Sequence, residues 1–293
     1  MAVATRSRID QATVTMHRPP FRPRRLVIPA VAYVVAAAMF LPIWWMVSQS
    51  LTPEADIFVW PLRLVPDHPT IDNYFRVLAR PDLPMARWFM NSVFVSLATT
   101  LLVVLVASMA AYAYARLEFP GRDIIFFALL TTMMIPGAVT MIPVFLIMRQ
   151  LHILDTYWAL ILPHGAGVFG VFMMRQFFQG LPKELEEAAI LDGLSRFGVY
   201  WKIALPLSKA ALAALGIFVF LGSWNDFLWP FIATNSLEMR TLPVGLTVFV
   251  GEYWSERGLV MAGATMATIP VLIVYAIFQR QIIRGFVLSG LKG

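Results

Sequence analysis

Residues 88–115 read WFMNSVFVSLATTLLVVLVASMAAYAYA, twenty-eight positions without one Asp, Glu, Lys or Arg between Arg87 and Arg116. A helix crosses bilayer hydrocarbon with about 20 consecutive apolar residues, and a soluble helix of this length would have no polar face to turn to water. Five further uncharged runs accompany it: Leu26–Pro53, Ile124–Met148, Thr156–Met174, Ala210–Asn225 and Gly258–Gln279. The pattern predicts an all-α membrane protein with six transmembrane helices. The run at Ala210–Asn225 is short, so its helix is expected to extend at both ends, with Asp226 near the outer membrane boundary.

Composition agrees. The 293 residues are 59% hydrophobic and 14% charged, against about 25% charged in soluble domains. Ala36–Ala37–Ala38 after an Arg-rich leader resembles a signal-peptide cleavage site, but the apolar run continues through Met39–Phe40–Leu41, so the first helix is read as uncleaved. With 0 cysteines there is neither a disulfide framework nor a Cys-based metal site.

Six spans with an internal start place sixteen of the 23 basic residues on one side, six of them in the N-terminal arm (Arg6, Arg8, Arg18, Arg22, Arg24 and Arg25). Cytoplasmic segments hold such an excess, so both termini are expected in the cytoplasm. The basic residues are juxtamembrane rather than gathered on a folded domain, which points to an anionic lipid leaflet and not to nucleic acid. The chain divides into a basic arm, 1–25, and a transmembrane domain, 26–293, that includes a long loop at 175–207.

The longest internal connection, Arg175–Leu207, reads RQFFQGLPKELEEAAILDGLSRFGVYWKIALPL. Pro182 suits a first helical position, Glu184, Glu186 and Glu187 suit the positive end of a helix dipole, and Gly193 suits a left-handed stop. A helix is expected from about Pro182 to Asp192. Ser195 should cap a second short helix through Phe197 and Trp201 toward Ile203, with Pro206 opening the fifth membrane helix. An amphipathic helix resting on the membrane surface is the plainer alternative.

Here a resemblance enters. Glu187–Ala188–Ala189, then Gly193, then Ile203-x-Leu205–Pro206 matches the EAA-x3-G-x9-I-x-L-P signature of ATP-binding-cassette importer permeases at every defined position. The carbohydrate-uptake branch, in particular the maltose-type second permease, is resembled through Ala110–Ala111–Tyr112–Ala113, Arg116-x-x-Phe119–Pro120–Gly121, Met134–Ile135–Pro136–Gly137, Leu154–Asp155–Thr156–Tyr157, Trp224–Asn225–Asp226–Phe227–Leu228–Trp229–Pro230 and the terminal Gly290–Leu291–Lys292–Gly293. The resemblance implies a non-catalytic subunit of an importer in a bacterial or archaeal cytoplasmic membrane. Its implied partners are a homologous permease, two ATPase subunits that bind ATP and Mg, and an extracytoplasmic solute-binding protein. It implies that Glu187, Ala188, Ala189, Asp192, Gly193, Phe197, Ile203, Leu205 and Pro206 form the ATPase-coupling surface, and that Leu291, Lys292 and Gly293 reach the ATPase.

Other candidates stay open. Trp224, Asn225, Asp226 and Trp229 combine stacking faces and hydrogen-bonding groups suited to a sugar pathway, yet they could instead cap or anchor their helix. The external segment Phe231–Arg257 carries Phe249, Tyr253 and Trp254, which related permeases would use to contact the binding protein, or which form an interfacial aromatic belt. The segment Leu51–Arg87 is long enough for a short external helix. Pro136 and Pro143, and Gly165, Gly167 and Gly170, either break helices along a pathway or simply pack them. His164 reads as a hydrogen-bonded interior histidine. No G-x-x-x-x-G-K-[ST], H-E-x-x-H or G-x-S-x-G occurs, so ATP hydrolysis, zinc-protease and serine-hydrolase chemistry lack their residues, while the intramembrane carboxylates that an ion-coupled secondary transporter would usually need are scarce.

Overall fold

The computed structural model describes residues 24–61, 63–253 and 255–290, with side chains placed for 27–61, 63–251, 253 and 255–279. Its contacts divide into two units, Met1–Trp45 and Met46–Gly293. The first helix, α1 (Arg24–Ser50), runs across that boundary. From Val27 to Pro42 every side chain is exposed, as in a helix whose surroundings are lipid or another chain.

The second unit follows as α2 (Asp72–Ala79), α3 (Met85–Arg116), α4 (Arg122–Thr131), α5 (Gly137–Gln150), α6 (Tyr157–Ile161), α7 (Val168–Gln179), α8 (Lys183–Leu191), α9 (Arg196–Val199), α10 (Leu205–Leu207), α11 (Lys209–Trp224), α12 (Leu228–Ala233), α13 (Leu242–Glu252) and α14 (Arg257–Gly290). No strand occurs among the described residues, and the all-α membrane fold expected from the uncharged runs is borne out. Among the described residues three helices are long and apolar enough to cross a bilayer, α1, α3 and α14. Three further candidates are bent pairs: Arg122–Met134 with Gly137–Gln150 by 102°, Tyr157–His164 with Val168–Gln179 by 44°, and Arg196–Leu207 with Lys209–Trp224 by 78°. Counting each pair as one span gives the six of the sequence reading.

Each bend has a local cause. Pro136 offers no N–H and holds Ile135 extended, at φ −83° and ψ 118°, which ends the first half of its span. The second break falls across Gly165–Gly167, after a short 3-10 turn containing Pro163. At the third, Pro206 removes a donor, a π turn occupies Tyr200–Ala204, and Ser208 turns its hydroxyl back onto the Ala204 carbonyl at 2.7 Å. Pro206 was expected to open the fifth membrane helix; instead it lies before the bend, and α11 starts at Lys209.

The axis of the second unit is α3. It has neither Gly nor Pro over its 32 residues, and its buried positions recur every three or four residues, from Trp88 through Ser92, Val95 and Thr99 to Ala111 and Tyr112. It contributes to all three apolar clusters: Val103 and Ala107 with Val171 and Leu215, Trp88 with Leu242 and Phe249, and Val95 with Leu160 and Trp229. Small residues let neighbours approach closely. A Cβ on Gly170 of α7 would lie 3.0 Å from Ala107 Cβ and 3.1 Å from Leu215 Cδ1, so packing is the role of that glycine.

The short helix expected within Leu51–Arg87 is present as α2. The segment Phe231–Arg257 contains α13, an apolar helix with Leu242 and Phe249 fully buried. Gly245 permits its approach: a Cβ there would stand 2.2 Å from the Trp88 ring. Gly245→Ala should therefore destabilise the unit by about 1–3 kcal/mol through overpacking, read as a lower melting temperature in detergent. Gly222→Ala, where nothing lies within 4 Å, should not lower it.

Candidate functional site

The 175–207 loop folds as a knob of two short helices. Pro182, at ψ 127°, stands just before α8 rather than at its first position, so the helix begins at Lys183. Acidic Glu184 and Glu186 occupy the first turn, where the helix dipole favours them. Gly193 takes φ +87°, the left-handed stop, and no atom lies where its Cβ would project, so the backbone alone demands glycine. The Ser195 hydroxyl accepts the Gly198 N–H at 3.2 Å and caps α9.

The outward face of the knob carries Glu187, Ala188, Asp192, Gly193, Phe197 and Pro206, all exposed, while Ile203 and Leu205 are half-buried and Ala189 is buried. Two features add to the expected set. Leu191 is 88% exposed at the tip of α8, and Trp201 stacks on Phe197 with ring centroids 6.4 Å apart and an interplanar angle of 18°. The result is an apolar tip beside an acidic side chain, suited to a partner surface.

The inward face is a buried polar cluster. Arg116, at the end of α3, donates from Nε to Glu186 Oε1 at 2.7 Å and from Nη2 to the Leu181 carbonyl at 2.7 Å. The Tyr112 hydroxyl donates to Glu186 Oε2 at 3.2 Å. Both charged side chains are less than a tenth exposed, at 5% for Arg116 and 7% for Glu186. Ser108 and Tyr200 join their hydroxyls at 2.9 Å, and Tyr112 packs against Phe178 and Tyr200. Sequence reasoning missed this cluster. Its signal was Arg116 closing a long uncharged run, with Tyr112 and Ser108 one and two helical turns before it.

The proposed pathway residues separate. Trp224 is buried, stacked on Phe220, with its indole N–H on the Ala267 carbonyl at 3.3 Å. Trp229 is buried in a different cluster, its N–H on Ala159 at 2.9 Å. Neither offers a free stacking face within this chain, because each indole is enclosed by neighbouring helices. Asn225 is exposed and its amide donates back to Leu221 at 2.8 Å, a capping contact. Asp226 lies 3.4 Å from His164, whose other ring nitrogen is 3.1 Å from the Leu160 carbonyl. His164 is thus hydrogen-bonded, as expected, but half-exposed, and it joins the break of one bent span to the end of another.

On the far side of the chain, Phe249 is a core residue against Trp88, which removes it from the binding-protein contacts. Tyr253 is half-buried and Trp254 lies outside the described residues, as do Leu291, Lys292 and Gly293. Around Tyr253 a charged cluster assembles. Arg76 and Arg80 both bond Glu256, Arg80 at 2.8 Å, and the Arg80 guanidinium sits 4.3 Å from the Tyr253 ring centroid. The Tyr253 hydroxyl donates to Asp82, which holds that carboxyl below its ordinary range and raises the phenol above its own. Glu54 accepts the N–H groups of Arg257 and Gly258 at 2.8 and 2.9 Å, closing the start of α14. No three His, Asp or Glu side chains converge as metal ligands among the described residues.

Two neighbouring positions should respond oppositely to mutation. Arg116→Met leaves a buried Glu186 unpaired and should cost about 3–5 kcal/mol, seen as a large fall in melting temperature. Glu187→Ala touches an exposed side chain and should leave melting unchanged.

Comparison with known proteins places this arrangement. Residues 103–287 match the family model described as binding-protein-dependent transport system inner membrane component. The arabinooligosaccharides transport system permease protein AraQ of Halalkalibacterium halodurans is 37% identical over 264 residues, covering 89% of this chain and 94% of that protein. The trehalose/maltose transport system permease protein MalG of Thermococcus litoralis is 33% identical over 273 residues, covering 92% and 98%. A crystal structure of a bacterial ABC transporter involved in the import of the acidic polysaccharide alginate superposes with a TM-score of 0.79 at 27% identity, covering 89% of this chain and 99% of that one. The chain belongs to the family of binding-protein-dependent transport system inner membrane components, and it is a multi-pass membrane permease of the ABC importer type.

Proposed function

We propose that this permease forms, with a homologous permease, the membrane pathway for a sugar or sugar-like solute delivered by an extracytoplasmic binding protein, and that a separate ATPase drives it through the 175–207 knob. The observation that carries the ATPase contact is the division of α8 into two faces. Glu187 and Ala188, the first two residues of the EAA signature, point outward beside Leu191, Phe197 and Trp201, while Glu186 is locked inward. An exposed carboxylate on a helix held in one orientation is ready to pair with a basic residue of a docked partner, and small Ala188 lets that partner approach closely.

The sugar class is supported by what related permeases carry by name: arabinooligosaccharides, trehalose and maltose. Within this chain Asn225 and Asp226, with His164 beside Asp226, are the polar groups proposed to meet the solute, now without Trp224 and Trp229. Tyr253 and Trp254 remain the proposed contacts for the binding protein, and Leu291–Gly293 the proposed tail contact with the ATPase. The excess of basic residues on the 175–207 side supports a cytoplasmic location for that loop and for both termini.

In this reading the ATPase dimer closes on ATP, the seated knob follows, and the pathway changes between inward- and outward-facing states as a rigid-body movement. The complex purified with its binding protein should show ATPase stimulation by oligosaccharides or sugar phosphodiesters; stimulation by amino acids or peptides alone would overturn the sugar assignment. With 0 native cysteines, a thiol introduced at exposed Gly222 should label more from outside in a hydrolysis-blocked, ATP-bound complex than without nucleotide. Identical labelling at Gly222, Phe220, Leu221 and Ser223 in both states would remove the proposed link between nucleotide and this helix.

A further inference from the structure

We propose that α3 is the stiff element through which the ATPase knob and the far end of the permease act on each other, with Arg116 and Glu186 as positioning residues at one end and Asn91 at the other. The inference rests on reading the 175–207 loop as the ATPase contact.

The joints of the knob carry the first half of the argument. Its covalent connection to α7 is the short stretch Gly180–Leu181–Pro182, and its connection to α11 is a π turn followed by the 78° bend at Ser208. Both joints are broken helix, so a push on α8 would be absorbed there unless a third attachment carried it. That attachment is to α3. Ser108, Tyr112 and Arg116, spaced by four residues and therefore on one face, bond Tyr200, Glu186 and again Glu186. The second guanidinium nitrogen of Arg116 also holds the Leu181 carbonyl, which immobilises the joint itself.

The other half lies about 38 Å along the same helix, at 1.5 Å per residue. There the buried Asn91 amide donates to the carbonyls of Glu238 and Arg240 at 2.7 and 2.8 Å, and its oxygen accepts the Tyr157 hydroxyl at 2.7 Å. Trp88 Nε1 donates to the Leu237 carbonyl at 2.7 Å, and Ser92 accepts the Leu242 N–H at 2.8 Å. The segment 237–242 is thus clamped to the Trp88 end of α3 as the knob is clamped to its Arg116 end. Between the clamps the helix has no Gly and no Pro, whereas α1 contains Pro29 and Pro42, and α14 contains Pro270. Kinks arise at such residues, so α3 is the long helix in the described residues least able to bend.

The test uses the complete complex in lipid nanodiscs, with its binding protein loaded with trehalose, maltotriose or arabinotriose, whichever stimulates the wild type. Glu186→Gln keeps the shape of the side chain and removes the ion pair. It is expected to lose binding-protein stimulation, taken relative to its own basal hydrolysis, by at least about fivefold, the lower end of ordinary coupling factors. Asn91→Ser should reduce stimulation likewise, and the double variant should be no worse than the more damaging single one, because both act through one rod. Arg116→Lys, which keeps the charge, should retain part of the stimulation and supplies the same measurement if Glu186→Gln does not assemble. Wild-type stimulation in Glu186→Gln, or losses that multiply in the double variant, would overturn the proposal. A wild-type complex that none of these loaded binding proteins stimulates would overturn the proposed coupling of sugar delivery to ATP hydrolysis through the 175–207 loop, and the transmission role with it.

Discussion

The Arg116–Glu186 ion pair is the interaction on which the arrangement of the 175–207 loop depends. Removing two charges from water is costly, and their attraction offsets that cost only when the remaining donors and acceptors are also satisfied. Here they are: Tyr112 supplies the second carboxylate oxygen with a donor, and Leu181 supplies the guanidinium with a second acceptor. Among the described residues no other ion pair has both side chains below a tenth exposed. The pair fixes which face of a nine-residue helix looks outward, a choice that a helix this short could not make by propensity.

A second constraint governs the spans. In hydrocarbon every backbone N–H and C=O needs a partner, so breaks are tolerated where protein or a polar cavity receives them. The three bent pairs break at Ile135–Pro136, at Gly165–Gly167 and at Ser208, and the last two flank α7 and α11, the helices that pack along α3. Breaks and stiffness are thus segregated, with the bends in the helices around α3 and none in α3 itself. His164, at the second of these interruptions, meets Asp226 just past the end of α11, so a broken helix brings a titratable side chain to a neighbour that a straight one would not reach.

Fold class was legible because absence of charge over twenty or more residues has few physical explanations. The loop knob was legible too, since Gly193 and Ser195 announce their backbone roles locally. Bend angles were not, because Pro136 and Pro206 specify a missing donor but leave the direction of the chain to tertiary packing. The helix α13 was not foreseen within Phe231–Arg257 because its eleven residues are too few for a span, although Leu242–Val250 is as apolar as a core helix. Phe249, Trp224 and Trp229 share one error. An aromatic side chain is equally fit to stack on a solute, anchor at an interface or fill a core, and only the neighbours decide.

Glu186 and Glu187 carry that lesson to its sharpest point. They are adjacent and chemically identical, and both stand near the start of one short helix, so side-chain chemistry alone does not separate them. A turn of about 100° per residue separates them in space, and Arg116, seventy positions earlier in the chain, selects the one that faces inward. Once Glu186 is held, Glu187 and Leu191 have no freedom to turn away from whatever meets them. The outward face of α8 is thereby tied, within about one turn of helix, to Arg116 at the end of α3.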